Sequence, residues 1–151
     1  EVISGAAFRQ LRLGSIWARP HQIRNLARQV QDGKCTLALS ADRVVERYVA
    51  VVTLRLTRAD GRFLVEFADY KAGLWSDSCK LPGTKQREGE TPEQTIGRLA
   101  ETLEPYTEGM TWSPDGCVNE RVCKTDAANI RSVYFRQTYE AYLNPDLKDT
   151  S

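Results

Sequence analysis

In RPHQIRNLARQV, residues 19–30, the apolar positions Ile23, Leu26, Ala27 and Val30 fall on one stripe of a 3.6-residue period. Pro20 stands where a helix start tolerates proline, and Gly33 in QDGK supplies the stop, so the spacing predicts an amphipathic helix over 20–31. CTLALS (35–40) then reads as a short strand, and VERYVAVVTLRLT (45–57) as a β-branched run with the length of a buried strand. RADG (58–61) separates it from RFLVEFADY (62–70), in which Phe63, Val65 and Phe67 alternate with Leu64, Glu66 and Ala68, which predicts a hairpin. GMTW (109–112) and CVNERVCKT (117–125) predict two short strands around the turn SPDG (113–116). SVYFRQTYEAYL (132–143) alternates aromatic and polar residues over a further strand, and NPDLKDTS (144–151) reads as a loop or frayed tail. Strands before and after a central helix predict an α+β fold, a mixed β-sheet sandwiched between helices.

Composition changes this picture little. A chain of 151 residues, 41% hydrophobic, suits one domain with a real core. Its 21 basic and 20 acidic residues leave a formal charge of +1, so no bulk electrostatic argument favours an anionic membrane, and nucleic acid is not the expected partner. Residues 1–34 are more basic, with Arg9, Arg12, Arg19, Arg24, Arg28 and Lys34 against Glu1 and Asp32. A solvated helix face is the plainer reading of that segment, and Arg24 and Arg28 are the candidates for contact with an acidic partner or phosphate. Cys35, Cys79, Cys117 and Cys123 form no CxxC pair, and His21 is the one histidine, which argues against structural zinc. Scattered thiols fit a reduced, intracellular protein, although an even number leaves two bridges open. No apolar run reaches the ~18 residues of a membrane span. A chain that opens on Glu1 rather than Met suggests an excised domain or a processed product.

The chemistry, if any, lies in LPGTKQREGETPEQTIGRLAETLEP, residues 81–105. A glycine-bearing turn lets backbone amides approach an anion, and a helix directly after it adds its N-terminal dipole. Glutamates in such a loop and on one helix face could chelate Mg²⁺ while a diphosphate supplies further oxygens.

LPG followed by GETPEQTIGR resembles the Nudix box, with Cys79 in place of the family's tryptophan and Thr84 in place of its second glycine. The resemblance spans roughly 45–143 and implies a Nudix-like domain there, after an N-terminal extension (1–44) whose helix packs on the domain and before a tail (144–151). Glu90 and Arg98 keep the family separation. The three metal-holding helix glutamates, however, fall on Leu99, Thr102 and Leu103; a one-residue gap after Arg98 recovers only Glu101. Ile96, Leu99 and Leu103 make an apolar stripe suited to packing, so both Leu99 and Leu103 should be largely buried.

The resemblance therefore implies a degenerate domain that has lost hydrolysis and serves as a ligand-binding or protein-interaction module in a larger protein or assembly. No metal or cofactor is expected, and Glu90 and Glu101 are the residual catalytic candidates. Gly83, Lys85, Arg87, Arg98 and Trp75 are the candidate contacts for a nucleotide or phosphate. The alternative is a divergent Mg²⁺-dependent hydrolase of a nucleoside diphosphate derivative. For Trp75, with Tyr70 and Lys71, base stacking competes with ordinary packing in the core or at its rim. The family's second long helix has no counterpart after residue 143, and the helix at 20–31 is expected to take its place. An isolated His21 beside Pro20 is a poor acid-base candidate, and Tyr134, Phe135, Tyr139 and Tyr142 should divide between core and solvent.

Overall fold

The computed structural model describes residues 20–42, 44–71, 73–125 and 130–144. Its elements are α1 (Pro20–Gln31), β1 (Thr36–Leu39), β2 (Val45–Thr57), β3 (Glu66–Lys71), β4 (Leu74–Lys80), β5 (Gly83–Lys85), α2 (Pro92–Thr102), β6 (Met110–Thr125) and β7 (Arg131–Leu143). Among the described residues the fold is α+β, with two helices and a mixed sheet ordered β1-β2-β7-β6, on which β5 also pairs with β2; β3 and β4 form a separate two-stranded sheet. Among the described residues, no helix is long and apolar enough to cross a membrane. The chain divides into two units, one drawn from 1–51, 85–90 and 120–136 and the other from 52–84, 91–119 and 137–151.

In the first unit, α1 ends where expected. Gly33, at a φ of 65°, donates its N–H to Val30 and is followed by a bond from the Lys34 N–H to the Gln29 carbonyl, the closure that glycine's freedom at positive φ permits. Leu26 is buried with Cys35, Leu37, Val45, Val49 and Ile130, and Ala27 and Val30 pack against that cluster. The helix thus lies on strands β1 and β2 through the face the periodicity marks, while His21, Arg24 and Arg28 are exposed. The Ile23 side chain is outside the described ones. Antiparallel pairing sets Thr36 opposite Tyr48 and Leu39 opposite Val45. A buried carboxylate, Glu46, is satisfied by Arg131 Nη1 at 3.1 Å and by the Tyr48 hydroxyl at 2.6 Å. Phe135 is exposed and stacks on Tyr48 with centroids 6.1 Å apart, whereas Tyr134 is half-buried against the core.

In the second unit, Val52, Leu54 and Leu56 of β2 are buried with Ile96 and Leu99 of α2 and Ala141 of β7. Helix α2 begins with a reciprocal cap: the Gln94 N–H donates to Thr91 Oγ1 at 3.2 Å and the Thr91 N–H to Gln94 Oε1 at 2.9 Å. Pro92 takes the first helical position. Tyr139 is half-buried against this cluster and Tyr142 is exposed, so the four aromatic residues divide between core and solvent, though not by strict alternation, which would group Tyr134 with Tyr142 and Phe135 with Tyr139.

Three expectations are corrected here. RADG makes a turn, with Arg58 N–H bonded to the Arg62 carbonyl at 2.7 Å and Gly61 N–H to the Arg58 carbonyl at 2.9 Å, but the ladder it opens stops at a lone Thr57–Phe63 bridge. The chain from Glu66 pairs instead with β4, where Tyr70 faces Trp75 and Lys80 Nζ reaches Asp69 at 2.6 Å and Glu66 at 3.6 Å. Cross-strand partners of this kind outweigh the alternation of Phe63 and Phe67, both of which are exposed. Second, SPDG does not end a strand. The chain approaches itself so closely there that a Cβ on Gly116 would lie 2.5 Å from the Ser113 carbonyl oxygen, yet β6 runs through it from Met110 to Thr125. Third, Leu99 is buried as expected, but Leu103 is only half-buried, because α2 ends at Thr102 and Leu103 is its C-cap.

Candidate functional site

The loop 86–90 in the first unit is closed by its own polar groups. Glu90 Oε2 accepts from the Arg87 N–H at 3.0 Å, the Glu90 N–H donates to the Arg87 carbonyl at 3.1 Å, and Gln86 Nε2 donates to the Glu90 carbonyl. Gly89, at a φ of 79°, allows the reversal. The Glu90 carboxylate therefore helps hold the loop in shape. This loop rests on the end of α1: a Cβ on Gly33 would come within 2.7 Å of Glu88 Cβ, and Lys85 Nζ donates to Gln29 Oε1 at 3.0 Å. Arg47 on β2 reaches the same oxygen through Nη1 at 3.4 Å, while its Nη2 donates to the Tyr134 hydroxyl at 2.6 Å. Arg87 is exposed and Lys85 half-buried.

Burial pushes the Cys35 thiol above its ordinary value, and the charges of Arg47 and Lys85 pull it the other way. Cys35 is thus a buried free thiol, whereas Cys79, Cys117 and Cys123 are exposed free thiols.

The second unit holds the other candidates. Gly83 lies flat on β2, where a Cβ would come 2.8 Å from Thr53 Cγ2 and 3.2 Å from the Val52 carbonyl oxygen. Half-buried Arg98 donates through Nη1 to Thr84 Oγ1 at 3.3 Å and so ties the helix to the turn after Gly83. Leu99, which the resemblance sets at the first carboxylate position, is 5% exposed in the apolar cluster. Thr102, at the second, is exposed and returns its hydroxyl to the Arg98 carbonyl at 2.9 Å. Glu101 is exposed. Among the described residues, no three His, Cys, Asp or Glu side chains converge as a metal shell would require.

Glu93, in the first turn of α2, is held below the usual carboxylate range by its own backbone N–H and the Thr91 hydroxyl; the Tyr139 hydroxyl also donates to it, at 3.3 Å. Tyr139 in turn is pushed up to about 12, first by burial and then by the Glu93 charge. Trp112 meets the Tyr139 ring edge-on at 6.4 Å. None of these contacts is legible from the loop motif, although the spacing T-x-x-Q at 91–94 signals the cap.

Packing of Trp75 in the core is overturned: it is 73% exposed on β4, with Tyr70 beside it at 5.0 Å between centroids and an angle of 50°. The Lys71 side chain is outside the described ones.

No protein-family model matches the sequence, and no curated protein matches it. Solved structures do. The chain is similar to a C. elegans Ap4A hydrolase in a binary complex, at 23% identity over 65% of this chain and 69% of that one, with a TM-score of 0.41. It is similar to RenU, a Nudix hydrolase from M. smegmatis, at 21% identity over 72% and 68% of the two chains, with a TM-score of 0.37. A second structure of C. elegans Ap4A hydrolase matches at 21% identity over 69% and 75%, with a TM-score of 0.39. No residue role passes from them to this chain.

Proposed function

We propose that the chain is a degenerate Nudix-like domain that does not catalyse hydrolysis and acts, inside the cell, as a ligand-binding or protein-interaction module of a larger protein or assembly. The observation that carries this reading is the fate of Leu99. A metal-binding carboxylate there would have to occupy the interior of the cluster formed by Val52, Leu54, Leu56, Ile96 and Ala141. A charged group in such surroundings is strongly disfavoured unless paired. Thr102 spends its hydroxyl on the helix backbone, and Glu90 spends one oxygen on its own loop. The helix serves as scaffold, and no metal or cofactor is needed.

Binding then falls to Gly83, Lys85, Arg87 and Arg98 along the loop and to Trp75, whose exposed ring offers a stacking surface for a nucleotide base. Arg24 and Arg28 on the outer face of α1 are the contacts for an acidic protein partner or the parent polypeptide.

The deciding experiment is calorimetry against a panel of nucleotides with and without Mg²⁺, together with a product assay on nucleoside diphosphate derivatives. Binding that is indifferent to Mg²⁺, with no product formed, is the expected outcome. Turnover that requires Mg²⁺ and is lost in Glu90→Gln would instead establish the divergent hydrolase.

A further inference from the structure

Tyr70 and Trp75, on the ribbon of β3 and β4, stand 61% and 73% exposed, one step back from the Lys71–Leu74 pair that adjoins the turn. Their ring centroids are 5.0 Å apart and the ring planes meet at 50°, so the two rings form an open wedge rather than a closed stack. The same register sets Ala68 opposite Asp77. Alternation therefore puts Ala68, Tyr70, Trp75 and Asp77 on one face of the ribbon, with Asp77 about 7 Å along the strand from Trp75.

Charge on the ribbon is unevenly matched. Glu66 and Asp69 share Lys80, at 3.6 Å and 2.6 Å. Asp77 is exposed and has no hydrogen bond or ion pair among the described residues. Nor does a described cation lie over either ring of the wedge, whereas Arg47 lies over Tyr134 and Arg55 over Phe63. Aromatic faces carry the negative part of the ring quadrupole, and an ionised carboxylate beside them adds a full charge of the same sign. Such a surface is apolar and electronegative together. It repels a phosphate, and an aliphatic side chain would leave the carboxylate unmatched, but a weakly hydrated cation satisfies rings and carboxylate at once. A guanidinium fits better than an ammonium, because it is planar, stacks flat on an indole and can give a carboxylate two parallel N–H bonds, while two rings are too few to enclose an ammonium.

We propose that Tyr70, Trp75 and Asp77 receive an arginine side chain from a protein partner, its guanidinium stacked on the indole and turned toward the carboxylate. The site rests on the reading of the domain as an interaction module and supplies the chemistry of one partner. It gives the Trp75 ring to a cation in place of a nucleotide base, since the phosphates that accompany a base would meet Asp77.

The test is an NMR titration of the whole chain with Nα-acetylarginine amide, with its neutral isostere Nα-acetylcitrulline amide, and with AMP. The arginine amide should shift the Trp75 indole N–H, identified by its loss in Trp75→Leu, together with the Tyr70 and Asp77 amides. The citrulline amide should bind at least about fivefold more weakly, and rising salt should weaken only the arginine response. Asp77→Asn and Tyr70→Leu should each weaken arginine binding about two- to fivefold, while Glu108→Gln, which removes an exposed carboxylate elsewhere, should leave it unchanged. All the altered side chains are exposed, so an unchanged urea midpoint is expected in every variant and checks that the ribbon is intact. No shift with the arginine amide, equal shifts with arginine and citrulline, or a response indifferent to Asp77→Asn overturns the site. A Trp75 shift with AMP that persists in Asp77→Asn, without one for the arginine amide, overturns it too and returns the ring to base stacking. Loss of the arginine site leaves the binding-module reading in place as long as a nucleotide or another partner binds; failure of both removes that reading itself.

Discussion

Placing a carboxylate at position 99 should wreck the domain. Leu99 is 5% exposed in the apolar cluster of the second unit, so Leu99→Glu exchanges a buried aliphatic side chain for a carboxyl with no solvent beside it. Losing the leucine burial costs about 1.5–3 kcal/mol. The introduced carboxyl must then either stay charged in apolar surroundings or take up a proton. An unfolded glutamate has a pKa of about 4.3, so neutralising it at pH 7 costs about 3.7 kcal/mol at 1.36 kcal/mol per unit. Together these approach the whole stability of an ordinary domain, which is about 5–15 kcal/mol.

The proton makes the test specific. Burial raises the folded value of the introduced carboxyl above its unfolded value, so stability is retained below about pH 4 and lost as pH rises toward the folded value. Urea unfolding followed by circular dichroism should therefore show the gap between Leu99→Glu and the unaltered chain widening by about 3 kcal/mol from pH 4 to pH 7. Leu99→Gln should be destabilised without that pH dependence. Thr102→Glu, on the exposed side of the same helix, should stay within about 0.5 kcal/mol. A Leu99→Glu protein within about 1 kcal/mol of the unaltered chain at every pH would refute the argument, because the side chain would then reach water and the helix could carry carboxylates after all.

Gly83→Ala should cost about 1–3 kcal/mol in urea unfolding, because its Cβ would meet Thr53 Cγ2 at 2.8 Å and backbone at 3.2 Å; an unchanged midpoint would mean that β5 can lift off β2 freely. Leu26→Ala should cost about 2–5 kcal/mol, and removing residues 1–33 should leave a protein that is insoluble or melts far lower; an unchanged melting temperature after truncation would make α1 a detachable linker. An ultraviolet titration should show one tyrosine ionising last, near 12, and Tyr139→Phe should abolish that step. Since the folded value of Tyr139 is raised, its contribution to stability is intact below about pH 10 and fades as pH rises toward 12, so the alkaline loss of stability should shrink in Tyr139→Phe.

Elements whose partners are written into their own periodicity are legible in the order of residues alone. Helix α1 lies where Leu26 and Val30 place a buried face, and β2 is buried on both sides, with Val49 in the first unit's cluster and Val52, Leu54 and Leu56 in the second's, as a continuous β-branched run implies. The misreadings occur where pairing is decided by residues distant in sequence. Strand β4 exposes Leu74 and Trp75, so no buried alternation announces it; it is seen only through its pairing with β3, where Tyr70 meets Trp75 and Lys80 reaches Asp69 and Glu66. SPDG is turn chemistry by composition, yet the residues around it stay in β6, whose neighbour in the sheet is β7. A local preference of this size is easily overruled by a continuous partner strand.

The candidate site divides along the same line. The loop motif is contiguous, so Gly83, Lys85, Arg87, Glu90 and Arg98 can be singled out by their spacing within one short window. Glu90 and Arg98 find partners inside that window, in Arg87 and Thr84, but Lys85 reaches beyond it. Lys85 meets Gln29, 56 positions away; Arg47 meets Gln29 across 18 positions and Tyr134 across 87. Arg47 has no distinguishing mark in the sequence, since it sits in a β-branched run as one polar residue of a strand. Only the fold makes it half-buried beside a second cation and leaves its Nε without a partner among the described residues. Conversely Leu99, conspicuous in sequence as a departure from a motif, becomes informative only when the cluster around it shows that the position belongs to the interior. An apolar residue on a solvent face could give way to a carboxylate at little cost, whereas a leucine inside the cluster commits this face of the helix to packing.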